Sequence, residues 1–241
     1  DIDVINVSSI HFGKDKNGTK YIYLNDNKPY DNLFNDLWLQ TEKASVQGCT
    51  ILLMVGGAGF AYKELFSDFT TYYPLLRKLL HDKSWIRGID LDIEERVTIK
   101  DVKMLINQLV LDFGEEFIIT MAPVSATLQN DGSSMAGFSY KDLYLSTEGK
   151  HIRWFNTQCY YSFSAETYES IVGNGYPPEK VVMGMESGQF TEETFNNALS
   201  EVKKIKEKHP TFAGVYDWEY LNAPPDKNDP SQWATFMKQI T

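Results

Sequence analysis

The chain has 241 residues, with 23 Lys and Arg against 33 Asp and Glu, and so a formal net charge of −10. Hydrophobic residues make up 42% and charged residues 23%, the balance of a globular protein long enough to bury a sizeable core. The acidity speaks against a nucleic-acid or anionic-membrane partner, which needs a basic face, and the longest apolar runs, 51–56 and 117–124, are strand-sized rather than membrane-spanning.

In chain order, compact β-branched or aromatic runs at 4–12, 50–56, 88–94, 117–124, 152–160, 181–185 and 212–218 read as strands. Most are near-continuously apolar, as expected of parallel strands covered on both faces. Helical patterns lie between them. One covers 32–47; another joins Tyr72, Leu75, Leu76, Leu79 and Leu80. Val102, Leu105, Ile106, Leu109, Val110 and Phe113 form one face of a third, with Thr98 as its cap and Gly114 as its stop. Phe195, Ala198, Leu199, Val202 and Ile205 mark a fourth.

This alternation predicts a parallel sheet with crossover helices. A nucleotide-binding open sheet would carry a glycine-rich phosphate loop after its first strand. The GGAG here follows the second strand, without G-x-G-x-x-G or G-K-S/T. A (β/α)8 barrel of the TIM type fits better, because the chemically interesting residues gather at the carboxyl ends of strands. No linker divides the chain, so residues 1–241 read as one domain. Seven strands are counted rather than eight, which predicts a barrel short of its first βα unit.

The four histidines show no metal-ligand spacing, and neither a metal nor a cofactor is expected. Cys49 and Cys159 read as free thiols. The NGT sequon at Asn17, in a loop-like stretch, fits a secreted protein; NVS at Asn6 lies in a strand. No leader opens the chain, consistent with one that was removed or never present. Nothing in the sequence decides the oligomeric state.

The stretch RGIDLDIEE (87–95) carries the chemistry. Side chains alternate along a strand, so Asp90, Asp92 and Glu94 share one face and Ile89, Leu91 and Ile93 the other. The apolar set suits the helices, so the acids point into the barrel. Three crowded, buried carboxyls raise one another's pKa, and at least one should hold a proton near neutral pH. A solvated edge strand would mix Lys, Thr or Ser among the acids, and a calcium site would use a looped cage of oxygens. Two acids on one strand do not flank a sugar as ordinary glycosidase pairs do; they fit a substrate-assisted reaction at an N-acetylated sugar.

The alternating acids resemble the strand-four signature D-x-x-D-x-D-x-E of glycoside hydrolase family 18, with Arg87 in place of the first acid. The likeness extends to MVGG (54–57), with Met54 where serine is usual, and to APV (122–124), NTQCYYSF (156–163) and GVYDWEYLNAPP (214–225). Within the family the chain is most similar to fungal endo-T-type endo-β-N-acetylglucosaminidases. The resemblance implies a glycosidase that cuts GlcNAc-β1,4-GlcNAc in N-glycans, with Glu94 as proton donor, Asp92 as oxazolinium support and Asp90 tuning Asp92. It implies that Tyr160 holds the acetamido group, with Gln158 beside it, and that Trp218 floors the pocket. Met121, Gly56 and Gly57 complete the implied substrate contacts. The family's first βα unit has no counterpart before Asp1, in agreement with the count of seven. Chitin is the second substrate reading, for which Tyr62, Trp85, Tyr161 and Tyr216 are candidate cleft aromatics. A non-catalytic sugar-binding protein on the same scaffold is the third.

Overall fold

In the computed structural model, which describes residues 2–131 and 135–241, the apolar runs form one sheet. Its strands are β1 (Val4–Lys14), β2 (Lys20–Leu24), β3 (Thr50–Gly56), β4 (Ile86–Asp92), β5 (Ile118–Met121), β6 (Ile152–Gln158), β7 (Val181–Glu186) and β8 (Gly214–Trp218). The order is β2-β1-β3-β4-β5-β6-β7-β8, and every neighbouring pair is parallel except β1 with β2. The helices are α1 (Asn35–Val46), α2 (Ala61–Ser67), α3 (Phe69–Asp82), α4 (Ile99–Phe113), α5 (Ser125–Asn130), α6 (Tyr140–Tyr144), α7 (Ala165–Gly173), α8 (Glu192–Lys208) and α9 (Ser231–Lys238). This is the α/β architecture of the TIM-barrel type.

The seven parallel strands are the seven predicted. The eighth, β2, was not predicted, and it is no βα unit: it folds back on β1 as a hairpin, pairing Ile10 with Leu24 and Lys14 with Lys20. Its turn is built by Asp15, whose carboxylate accepts from the Asn17 and Thr19 amides, and by Gly18 at φ 82°. Asn17 lies exposed on this turn. The hairpin covers only the carboxyl half of β1. Val4–Val7 pair with β3 alone and β8 pairs with β7 alone, so β8 is only partly buried while β3 and β4 are almost wholly inside.

The helix whose ends were predicted, α4, begins and stops at them. Thr98 accepts from the Asp101 amide at the start of α4, and Gly114 at φ 85° follows its end. Buried Val102, Leu105, Ile106 and Leu109 face the sheet. Strand ends differ from expectation. β4 stops at Asp92 and β6 at Gln158, so Glu94 and Tyr160 stand on loops just past the carboxyl rim. β5 stops at Met121, because Pro123 has no amide for the ladder.

Candidate active site

Register stacks the interior of the sheet in layers. Met54, Asp90 and Thr120 are partners across β3, β4 and β5, and Gly56 is the partner of Asp92 one layer higher. Asp90 is buried, with Oδ1 accepting from Thr120 Oγ1 at 2.5 Å and Asn156 Nδ2 at 3.0 Å, and Oδ2 from Asn6 Nδ2 at 3.4 Å. Trp154 Nε1 donates to Asn156 Oδ1 at 2.9 Å and fixes which end of that amide faces the acid. Burial pushes the Asp90 carboxyl up to about 6, against the two donors Thr120 and Asn156 that pull it down.

Asp92, also buried, accepts from Gln158 Nε2 at 3.1 Å. The same nitrogen donates to the Ala122 carbonyl at 2.9 Å and lies 3.5 Å from Glu94 Oε1. Gln158 therefore ties β5, β6 and the two upper acids together. Burial first, and then the charges of Glu94 and Asp90, push Asp92 well above the usual carboxylate range. Both aspartates inside the sheet are thus pushed toward holding the expected proton, Asp92 by the neighbouring charges as well as by burial.

Glycines let the loop after β3 close over this point. A Cβ on Gly56 (φ 98°) would stand 2.1 Å from the Asp92 carbonyl oxygen, and one on Gly57 (φ 80°) 3.4 Å from Asp92 Oδ2. The Gly57 amide donates to the Asp92 carbonyl at 2.9 Å. Gly56 is thus spent on a close backbone approach rather than on an open face, and Gly57 borders the carboxylate. His11 Nε2 donates to the Ala58 carbonyl at 3.0 Å and holds the same loop from the β1 side.

Several predicted residues fall elsewhere. Met121 is the partner of Leu91, not of an acid, so it lies on the helix-facing side and is 0% exposed; it is core rather than substrate contact. Trp218 is 41% exposed and lines a recess of about 700 Å³ with Glu186, Phe190, Asn222 and Pro225, a recess that neither Asp92 nor Glu94 lines. Arg87 is exposed near the amino end of β4, away from the acid column. Of the candidate cleft aromatics only Tyr161 is open to solvent, at 89%. Tyr62 is buried with its hydroxyl on the Val55 carbonyl, Trp85 bonds Thr41, and Tyr216 bonds Tyr160. Cys49 and Cys159 are free, as read.

The sequence reading missed three supports. Asn156 and Thr120 seat Asp90, and nothing in an isolated strand pattern pairs them with it. Glu95 is buried beside Glu94, and its Oε1 accepts from the Tyr62 amide at 2.5 Å, which pins the loop after β4 to the start of α2. Only its adjacency to the acid run could have flagged it. Among the described residues no cluster of His, Cys, Asp or Glu is arranged to hold a metal, and no helix is long and apolar enough to cross a membrane.

Solved structures share this fold, and three of them illustrate the range. A fungal endo-β-N-acetylglucosaminidase from glycosyl hydrolase family 18 is 32% identical with a TM-score of 0.87, covering 98% of this chain and 86% of its own. The chain belongs to glycoside hydrolase family 18. The chitinase ChiC from Aspergillus fumigatus is 31% identical at a TM-score of 0.82, over 98% of this chain and 87% of its own. A chitinase-like agglutinin from Robinia pseudoacacia, 12% identical at a TM-score of 0.64 over 99% of this chain and 91% of its own, shares the fold alone. No family model matches the sequence, and no curated protein does. As a family 18 glycoside hydrolase, the chain carries its acid column at the carboxyl ends of parallel strands, where barrel enzymes of this type act.

Proposed function

We propose that this glycoside hydrolase is an endo-β-N-acetylglucosaminidase that cuts the β1,4 bond between the two GlcNAc residues of the N-glycan core, with retention and substrate assistance. The observation that carries the reading is the column of Asp90, Asp92 and Glu94, in which Gln158 bridges the upper two acids. Glu94, on the rim, gives its proton to the glycosidic oxygen as the C1–O bond breaks. The substrate's own acetamido carbonyl oxygen closes on C1 to form an oxazolinium, whose charge the Asp92 carboxylate supports, the proton Asp92 held having been the one relayed through Glu94 to the glycosidic oxygen. The Glu94 carboxylate then takes a proton from water as that water opens the ring at C1, restoring the acid and retaining configuration. Tyr160 orients the acetamido carbonyl. Exposed Phe60, Tyr161 and Trp218 at the carboxyl rim supply faces on which flanking sugars can stack.

The similarity to a fungal endo-β-N-acetylglucosaminidase supports the N-glycan substrate. The likeness to a fungal chitinase favours a second reading, chitin oligomers, which share the reacting disaccharide. The sequon on an exposed turn at Asn17 supports a secreted protein. A paired digestion tests the proposal: a high-mannose glycoprotein and chito-oligosaccharides, each with the wild type and Glu94→Gln. Glycan release that leaves one GlcNAc on the protein, abolished in Glu94→Gln while sugar binding persists, is the expected result. Cleavage of chito-oligosaccharides alone would replace the N-glycan reading with the chitinase one. Wild-type activity in Glu94→Gln would overturn the assignment of the acid.

A further inference from the structure

Tyr216, on β8, reaches across its neighbour strand to the loop after β6. Its register partner on β7 is Gly184, and a Cβ at Gly184 would lie 2.2 to 2.4 Å from the end of the Tyr216 ring and its hydroxyl. No side chain fits there, and the Gly184 backbone is not in a conformation that demands glycine. The missing Cβ is what admits Tyr216. Its hydroxyl ends 3.4 Å from the hydroxyl of Tyr160.

Two hydroxyls in one hydrogen bond use one hydrogen and leave one free. Which is free decides what the pair can do. Burial holds the Tyr216 phenol well above its ordinary value, with the Tyr160 and Asp92 charges adding to it, so it stays a neutral donor. Among the described residues Tyr160 is the one hydrogen-bond partner of the Tyr216 hydroxyl. The Tyr216 side chain is half-buried with its ring end wedged over Gly184, and a hydroxyl held there with one acceptor in reach gives its hydrogen to that acceptor. Tyr160, equally half-buried but standing past the end of β6 at the rim, keeps its own hydrogen for whatever enters.

We infer that Tyr216 is a positioning residue, whose hydroxyl donates to the Tyr160 oxygen and thereby turns the Tyr160 hydrogen toward the substrate's acetamido carbonyl. The inference rests on the reading above that Tyr160 orients that group. It makes Gly184 part of the same device.

A double-mutant cycle tests it on whichever of the two substrates the wild type cleaves: Tyr160→Phe, Tyr216→Phe and both together, with kcat and KM measured separately and folding checked by Tm. Loss of one neutral hydrogen bond that acts in the transition state predicts about a 5- to 10-fold lower kcat for Tyr216→Phe, with KM little changed. The double variant should be no slower than Tyr160→Phe, because Tyr216 acts through Tyr160. A thiazoline analogue of the oxazolinium should lose affinity for Tyr216→Phe by a similar factor. Wild-type kcat in Tyr216→Phe while Tyr160→Phe is slow, or losses that multiply in the double variant, would overturn the inference. Wild-type activity in Tyr160→Phe would instead overturn the role of Tyr160 itself.

Discussion

Replacing Asp90 by Asn should change how stability depends on pH, and by a magnitude the structure sets. The carboxyl is fully buried and its pKa stands at about 6, against 3.8 for an ordinary aspartate. At about 1.36 kcal/mol per pKa unit, this difference amounts to on the order of 3 kcal/mol. Its sign follows from where the proton sits. Between 3.8 and about 6 the folded chain holds the proton and the unfolded chain does not, so the favourable contribution is complete below 3.8 and is lost as pH rises through about 6. On the order of 2 kcal/mol of that loss falls between about pH 4.5 and 7.5. Asn is nearly isosteric: its oxygen can still accept from Thr120 and Asn156, while its amide can donate to Asn6, whose exposed side chain is free to turn. Asp90→Asn should therefore gain stability relative to the wild type by about that amount over this range, measured by urea unfolding at both pH values. The neighbouring Asp92 adds in the same direction, since part of its raised pKa comes from the Asp90 charge. Parallel pH profiles, within about 0.5 kcal/mol, would refute the burial account of Asp90.

Glu95→Ala leaves the buried Tyr62 amide without its acceptor and should cost about 1–3 kcal/mol in urea unfolding, with a lower kcat because the loop carrying Glu94 loses its anchor. Unchanged stability would mean that water replaces the carboxylate. Gly56→Ala places a methyl 2.1 Å from the Asp92 carbonyl oxygen at a φ of 98°, and should destabilise by about 2–4 kcal/mol and depress activity more than Ala substitution at the open Gly18 turn. Thermal unfolding with a parallel activity assay separates the two effects.

The parallel layout was legible because strands buried on both faces cannot hide their composition, and the acid column was legible because period two ties three acids to one face of RGIDLDIEE. Strand β2 was not: KYIYL is only five residues long, its run YIYL stands alone between polar loops, and it owes its place to pairing with β1. Tyr62 and Tyr216 read as candidate cleft aromatics, but their hydroxyls turn to the Val55 carbonyl and to Tyr160; nothing in the sequence tells a structural hydroxyl from a working one. Met121 shows the limit most plainly. Alternation along FIITM separates Thr120 from Met121, but only the register with β4 says that Thr120 is the one facing Asp90.

The same limit explains why the sequence could place a proton among the three acids without saying where. Composition fixes how many carboxyls crowd the interior; depth and donors fix how each responds. Asp90 sits lowest, but Thr120 and Asn156 lend it hydrogens, and these hold its pKa to about 6 despite complete burial. Asp92 has a single donor side chain, Gln158, and lies between two other acids, so burial and both charges push the same way. None of these donors is near the acids in the chain: Gln158 and Asn156 stand 66 positions from Asp92 and Asp90. The ionisation of each acid is thus set by partners contributed from two other strands, β5 and β6; in the proposed reaction, where Asp92 lends its charge to a transient cation, that poise is what those partners would supply.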